Sequence, residues 1–151
     1  YEVIPGVSSV FAGAAAMKKE FTLPGVTQTL ILTRMAGRTP VPEAESIENL
    51  AKIQASMAIF LSIASIDELA KKLMTSYPKD TPAAVVYKAS WPDQKIIVST
   101  LECIADKVKE ADINKTALVY VGRFLADEFE LSKLYDKHFS HEFREAKDAR
   151  R

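Results

Sequence analysis

Apolar positions along this chain fall into two rhythms, the helical spacing of a one-sided face and the unbroken run of a strand covered on both faces. Behind Val7-Ser8-Ser9 an Ala-rich stretch predicts a helix over residues 8–19, with a serine at its N-cap. Residues 27–33, β-branched and apolar, predict a buried strand. A loop over 34–45, punctuated by Gly37, Pro40 and Pro42, leads to a short helix over 46–54 and an apolar strand over 57–63. Ser65 with Glu68 has capping-box spacing, and Ile66, Leu69, Ala70, Leu73, Met74 and Tyr77 then recur on one helical face. Runs at 83–88 and 95–99, separated by a turn containing Ser90-Trp91-Pro92-Asp93, predict an antiparallel hairpin. Ser99 and Glu102 repeat the capping-box spacing ahead of Leu101, Ile104, Ala105 and Val108, and residues 116–121 form a last strand ended by Gly122.

Alternating helices and apolar strands define an α/β fold, a mixed sheet of about five strands flanked by helices. The hairpin is what prevents the sheet from being wholly parallel. The core is expected within about 1–122, with 10–122 as the C-terminal α/β domain. From 123 to 151 the periodicity weakens into a charged extension, apart from Leu131, Leu134, Tyr135, Phe139 and Phe143. At the other end, Tyr1-Glu2-Val3-Ile4-Pro5-Gly6 reads as the end of a strand entering a Pro-Gly turn. Residues 1–9 are therefore expected to close a preceding domain of a longer polypeptide.

Charge changes the picture by exclusion. Twenty Lys and Arg balance 20 Asp and Glu, which argues against bulk capture of nucleic acid, since that needs a cationic surplus. No apolar run approaches the roughly 18 residues of a membrane span. Cys103 is the only cysteine, so an internal disulfide and a Cys-cluster zinc site are excluded, and the cytoplasm is the natural compartment. Cys103 reads as a small core residue on the apolar side of its helix. His138 and His141 stand at an H-x-x-H spacing with no further ligands beside them, so no metal is expected. Phosphate-binding and dinucleotide glycine motifs are missing, and no residue is singled out as a catalytic acid, base or nucleophile.

Three loops carry the remaining chemistry. Pro5-Gly6-Val7-Ser8-Ser9 sets hydroxyls and free N–H groups at a helix start, suited to a polar ligand or simply to capping. Arg34-Met35-Ala36-Gly37-Arg38 brings two guanidinium groups into one loop, either to grip carboxylates or as solvated side chains. Tyr87-Lys88-Ala89-Ser90-Trp91-Pro92-Asp93 puts aromatic, cationic and small residues at strand ends, where open α/β sheets bind ligands, or forms a plain hairpin with a packed Trp.

Together with Met57-Ala58-Ile59-Phe60-Leu61-Ser62, Thr116-Ala117-Leu118-Val119-Tyr120-Val121-Gly122 and the tail around Leu134-Tyr135-Asp136, His141 and Phe143-Arg144, these loops resemble the tetrapyrrole methylase family. Its members are S-adenosylmethionine-dependent enzymes that methylate ring carbons on the way to sirohaem and the corrin ring. The arginine loop, the Ser-Trp-Pro-Asp turn and the tail resemble the branch acting on precorrin-4 or cobalt-precorrin-4 at ring carbon 11. The resemblance implies two α/β domains with the donor between them, of which this chain supplies the second. It places S-adenosyl-L-methionine, and the product S-adenosyl-L-homocysteine, against Ser8, Ser9, Leu61, Ala89, Thr116 and Ala117. It gives Arg34, Arg38 and Lys88 to the carboxylates of the tetrapyrrole, and it implies a homodimer without nucleic-acid or membrane partners. Two alternatives stay open: a methyltransferase of the same fold acting on RNA or protein, and a non-catalytic dimerisation module.

Overall fold

Successive residues of a strand point to opposite faces, and here both faces are buried in the middle of the sheet, so two separate cores form around one sheet. The computed structural model describes residues 1–127. The elements run α1 (Ser9–Met17), β1 (Leu30–Arg34), α2 (Ile47–Ala51), β2 (Ser56–Phe60), α3 (Ile66–Leu73), β3 (Pro82–Tyr87), β4 (Lys95–Thr100), α4 (Ile104–Glu110) and β5 (Ala117–Val121). The strand order is β1-β2-β5-β3-β4. β1 and β2 are parallel, β5 is antiparallel to both β2 and β3, and β3 and β4 form the expected antiparallel hairpin. The mixed five-stranded α/β sheet read from the sequence is thus the observed fold.

On one face Met57, Ile59, Val85, Val119 and Val121 pack against Ile47 of α2, Leu69 and Leu73 of α3, and Ile104 and Val108 of α4. On the other, Ala58, Ala84, Val86, Leu118 and Tyr120 meet Val10 and Ala14 of α1 together with Phe21, Leu23, Phe124 and Leu125. Phe124 and Leu125 are buried, so packing continues past position 122. The calls on Leu131, Leu134, Tyr135, His138, Phe139, His141 and Phe143 lie outside the described residues.

Several local expectations change. A serine caps α1 as predicted, and it is Ser8, accepting from the Val10 N–H at 3.3 Å. Ser65 makes no side-chain cap bond, because a 3₁₀ turn, Ile63–Ser65, runs directly into α3 and denies it the extended backbone of a capping residue. Ser99 lies inside β4 opposite Ala83, which leaves Cys103 at the N-cap of α4, exposed rather than in the core. The first strand starts at Leu30, three residues late, because Leu23 and Thr27 close a turn through paired backbone hydrogen bonds around Gly25. Residues 1–8 are exposed chain leading into α1.

α1 approaches the sheet closely because its packing face is made of small residues. Gly13 is the extreme case: a Cβ there would sit 1.9 Å from the Tyr120 hydroxyl. Tyr120 cannot easily withdraw, since it is fully buried and its hydroxyl donates to the Ser9 and Val10 carbonyls at 3.1 and 3.0 Å. Gly13→Ala is therefore expected to destabilise the chain by about 1–3 kcal/mol, the range for overpacking a core. Urea unfolding measures it; a midpoint at or above wild type would show that α1 is not locked against Tyr120.

Candidate functional site

With β5 antiparallel to both neighbours, β2 and β3 run the same way, and their carboxyl ends emerge beside the amino end of β5. That edge is where open α/β sheets form crevices. A cleft of about 420 Å³ opens there, lined by Ser9, Phe60, Leu61, Lys88, Ala89, Trp91, Thr116 and Ala117 among others. Six of the nine residues assigned to a site from sequence therefore meet in one place: Ser9, Leu61, Lys88, Ala89, Thr116 and Ala117.

The backbone is bent sharply where it rounds this edge. Leu61, Lys88, Ser90 and Thr116 have φ of 54°, 47°, 72° and 55°. Left-handed backbone costs an L residue roughly 1–2 kcal/mol, and such outliers collect at ligand sites. Leu61 adds a second cost, since its side chain is 86% exposed. Small side chains at Ala64, Ala89 and Ala117 leave the backbone of the cleft wall accessible. Tyr120 ties the first turn of α1 to the same cleft, and burial pushes its hydroxyl well above the ordinary tyrosine range, so it remains a protonated donor.

Ser8 and the arginines stand apart. Ser8 is engaged in capping and does not line the cleft. Arg34 lines a neighbouring hollow with Thr33, Pro40, Val41 and Pro42; Phe60 belongs to both hollows and divides them. The Arg34 guanidinium braces its own loop, donating to the carbonyls of Met35, Thr39 and Pro40 at 3.3, 3.1 and 2.9 Å. Arg38 sits exposed at the loop tip and lines neither hollow. Lys88 donates to Asp93 and lies 5.0 Å from the Tyr87 ring centroid and 5.5 Å from that of Trp91. Their mutual hydrogen bond raises the Lys88 pKa and lowers that of Asp93, so both stay charged around neutrality.

Sequence reasoning did not assign Phe60, Ala64, Asn114 or Lys115 to the cleft, and it named Trp91 only as part of the Tyr87–Asp93 loop. Each adjoins a strand end already in view, so proximity to the carboxyl ends of β2 and β3 was the available signal. Among the described residues no group of three or more His, Cys, Asp and Glu could hold a metal ion.

The mixed five-stranded sheet flanked by helices is shared with methyltransferases of known structure. The model of the Tetrapyrrole (Corrin/Porphyrin) Methylases matches residues 1–105, and the chain belongs to that family. Among its relatives, the cobalt-precorrin-4 C(11)-methyltransferase of Methanocaldococcus jannaschii is 54% identical over 147 residues, covering 96% of this chain and 57% of the relative. The precorrin-4 C(11)-methyltransferase of Pseudomonas aeruginosa is 45% identical over 145 residues, 95% of this chain and 58% of its own. The X-ray structure of a cobalamin biosynthetic enzyme, cobalt precorrin-4 methyltransferase, matches with a TM-score of 0.80 at 46% identity, over 82% of this chain and 52% of that one. A uroporphyrin-III C-methyl transferase from Thermus thermophilus, complexed with S-adenosyl homocysteine, shares the fold at 20% identity and a TM-score of 0.67. The chain thus spans somewhat more than half the length of the curated relatives it matches.

If the bend at Leu61 stores strain, Leu61→Gly relieves it and loses almost no packing. The expected gain is about 0.5–1 kcal/mol of stability after the entropy of glycine is deducted. Chemical denaturation reads this directly, and a loss of stability would mean that Leu61 supports the fold rather than the cleft.

Proposed function

We propose that this chain is the C-terminal part of an S-adenosyl-L-methionine-dependent methyltransferase that acts on ring carbon 11 of precorrin-4 or cobalt-precorrin-4. The observation that carries the reading is the meeting of Ser9, Leu61, Ala89, Thr116 and Ala117 around one cleft. Identities of 54% and 45% to relatives named for that reaction support the substrate.

The cleft suits the donor in kind. Its wall of small and apolar residues accommodates a nucleoside, and accessible backbone at Leu61, Ala89 and Thr116 offers hydrogen bonds to its polar edges. When bound, S-adenosyl-L-methionine supplies an electrophilic sulfonium methyl and leaves as S-adenosyl-L-homocysteine. A displacement at that methyl needs alignment above all, so it calls for no dedicated nucleophile at the cleft. The left-handed turns provide rigid, pre-set positions for that alignment.

The arginine loop lies beside the donor cleft across Phe60, a placement suited to the carboxylates of a tetrapyrrole. Arg38 is exposed for that purpose, while Arg34 uses three of its N–H groups on the loop and keeps two for a ligand. Exposed Leu32, Ile96 and Val98 on the sheet's second face support assembly as a homodimer. Balanced charge supports the lack of a nucleic-acid partner. No helix among the described residues is long and apolar enough to cross a membrane. A cytoplasmic location completes the reading.

The test uses the complete polypeptide that contains this chain, with precorrin-4 as acceptor and methylation at ring carbon 11 followed by NMR. Arg38→Ala should weaken tetrapyrrole binding about tenfold or more, the worth of one charged hydrogen bond, with donor affinity unchanged. Ala117→Leu should do the reverse. Unchanged tetrapyrrole affinity in the Arg38 variant removes its assignment, and unchanged donor affinity in the Ala117 variant removes the cleft as the donor site.

A further inference from the structure

We propose that Trp91 is the donor-recognition residue of the cleft, stacking on the adenine ring, and that Lys88 and Asp93 are positioning residues that hold the indole for it. The inference rests on reading the cleft as the donor site. Trp91 lines that cleft, yet 60% of it is exposed. An indole is normally buried because of its large apolar area, so an exposed one at the mouth of a ligand cleft is unpartnered apolar surface.

The turn that carries the ring is nevertheless tightly held. The Trp91 backbone N–H donates to the Lys88 carbonyl at 3.0 Å, and the Trp91 carbonyl accepts from the Gln94 N–H at 3.1 Å. The Gln94 side chain accepts from the Ser90 N–H at 2.8 Å, which closes the turn a second time. Lys88 and Ser90 both take left-handed backbone without being glycine, so this turn is over-determined by its contacts. The Lys88 ammonium, fixed by Asp93, reaches the indole at 5.5 Å and the Tyr87 ring at 5.0 Å.

A side chain immobilised before binding does not pay the ordering cost at binding. Ala89, two residues before Trp91, and Ala117 carry nothing beyond Cβ, so the cleft beside the indole admits a flat group. Stacking needs only a π face on the ligand, and the adenine of the donor has one. Lys88 accordingly changes role: its charge is already matched by Asp93 and two rings, and it orients Trp91 instead of gripping a carboxylate.

Trp91 is the only tryptophan in the 151 residues. The complete polypeptide that contains this chain is titrated with S-adenosyl-L-homocysteine, adenosine and methionine, with calorimetry in parallel, and the Trp91 emission is taken as the difference from Trp91→Phe. S-adenosyl-L-homocysteine and adenosine should both quench Trp91, and methionine should not. Trp91→Leu should weaken S-adenosyl-L-homocysteine between about fivefold and a hundredfold, the range for one stacked base, while Trp91→Phe stays within a few fold. Lys88→Met should shift the Trp91 emission maximum and weaken adenosine, with Lys88→Arg restoring both. Binding heat with unaltered Trp91 emission, or Trp91→Leu binding as tightly as wild type, overturns the proposal. A Trp91→Leu polypeptide that loses precorrin-4 and keeps S-adenosyl-L-homocysteine also overturns it, by assigning the indole to the acceptor. An absence of any S-adenosyl-L-homocysteine binding by the complete wild-type polypeptide removes the donor-site reading itself.

Discussion

Strand β5 lies between β2 and β3 and runs against both, and the candidate site depends on that insertion. Without it the turns after Phe60 and Tyr87 would be neighbours on an ordinary sheet edge. With it they are held apart by the width of one strand, and residue 116, at the start of β5, forms the floor between them. The cleft is thus a product of strand order before it is a product of any side chain. Ser9, Leu61, Ala89 and Thr116, far apart along the chain, become one wall.

That geometry needs two supports. One is the contact between α1 and β5, where Gly13 lets the Tyr120 hydroxyl reach the carbonyls of Ser9 and Val10. It places the helix start at the cleft with the precision of a buried hydrogen bond. The other is left-handed backbone at Leu61, Lys88, Ser90 and Thr116, which a random L residue would not choose. The two cores on either side of the sheet offset that strain by holding β2, β3 and β5 rigid.

Much of this was readable from residues. The apolar runs at β2, β3 and β5 and the helical spacing in α3 are local signals, and they survive because burial on both faces demands apolar residues at every position. The Ser8 cap was legible for the same local reason. The two other capping patterns failed because a serine caps only from extended backbone outside the helix: Ser65 is caught in a 3₁₀ turn and Ser99 in a strand. Cys103 moved to the surface when the start of α4 shifted past it. At the site, resemblance assigned Ser9, Leu61, Ala89, Thr116 and Ala117 to one ligand, and the fold places them around one cleft. Nothing local in the sequence reveals that Arg34 turns back on its own loop, or that Lys88 is enclosed by Tyr87, Trp91 and Asp93. Those are properties of tertiary placement.

The central claim is that the β2–β5–β3 edge binds the methyl donor. Backbone amide NMR of the complete polypeptide that contains this chain, during titration with S-adenosyl-L-homocysteine, tests it most directly. Saturable shifts centred on Ser9, Leu61, Ala89, Trp91, Thr116 and Ala117 are expected. Shifts centred instead on Gln54, Thr81 and Arg123, which line a hollow at the opposite end of the sheet, would contradict it.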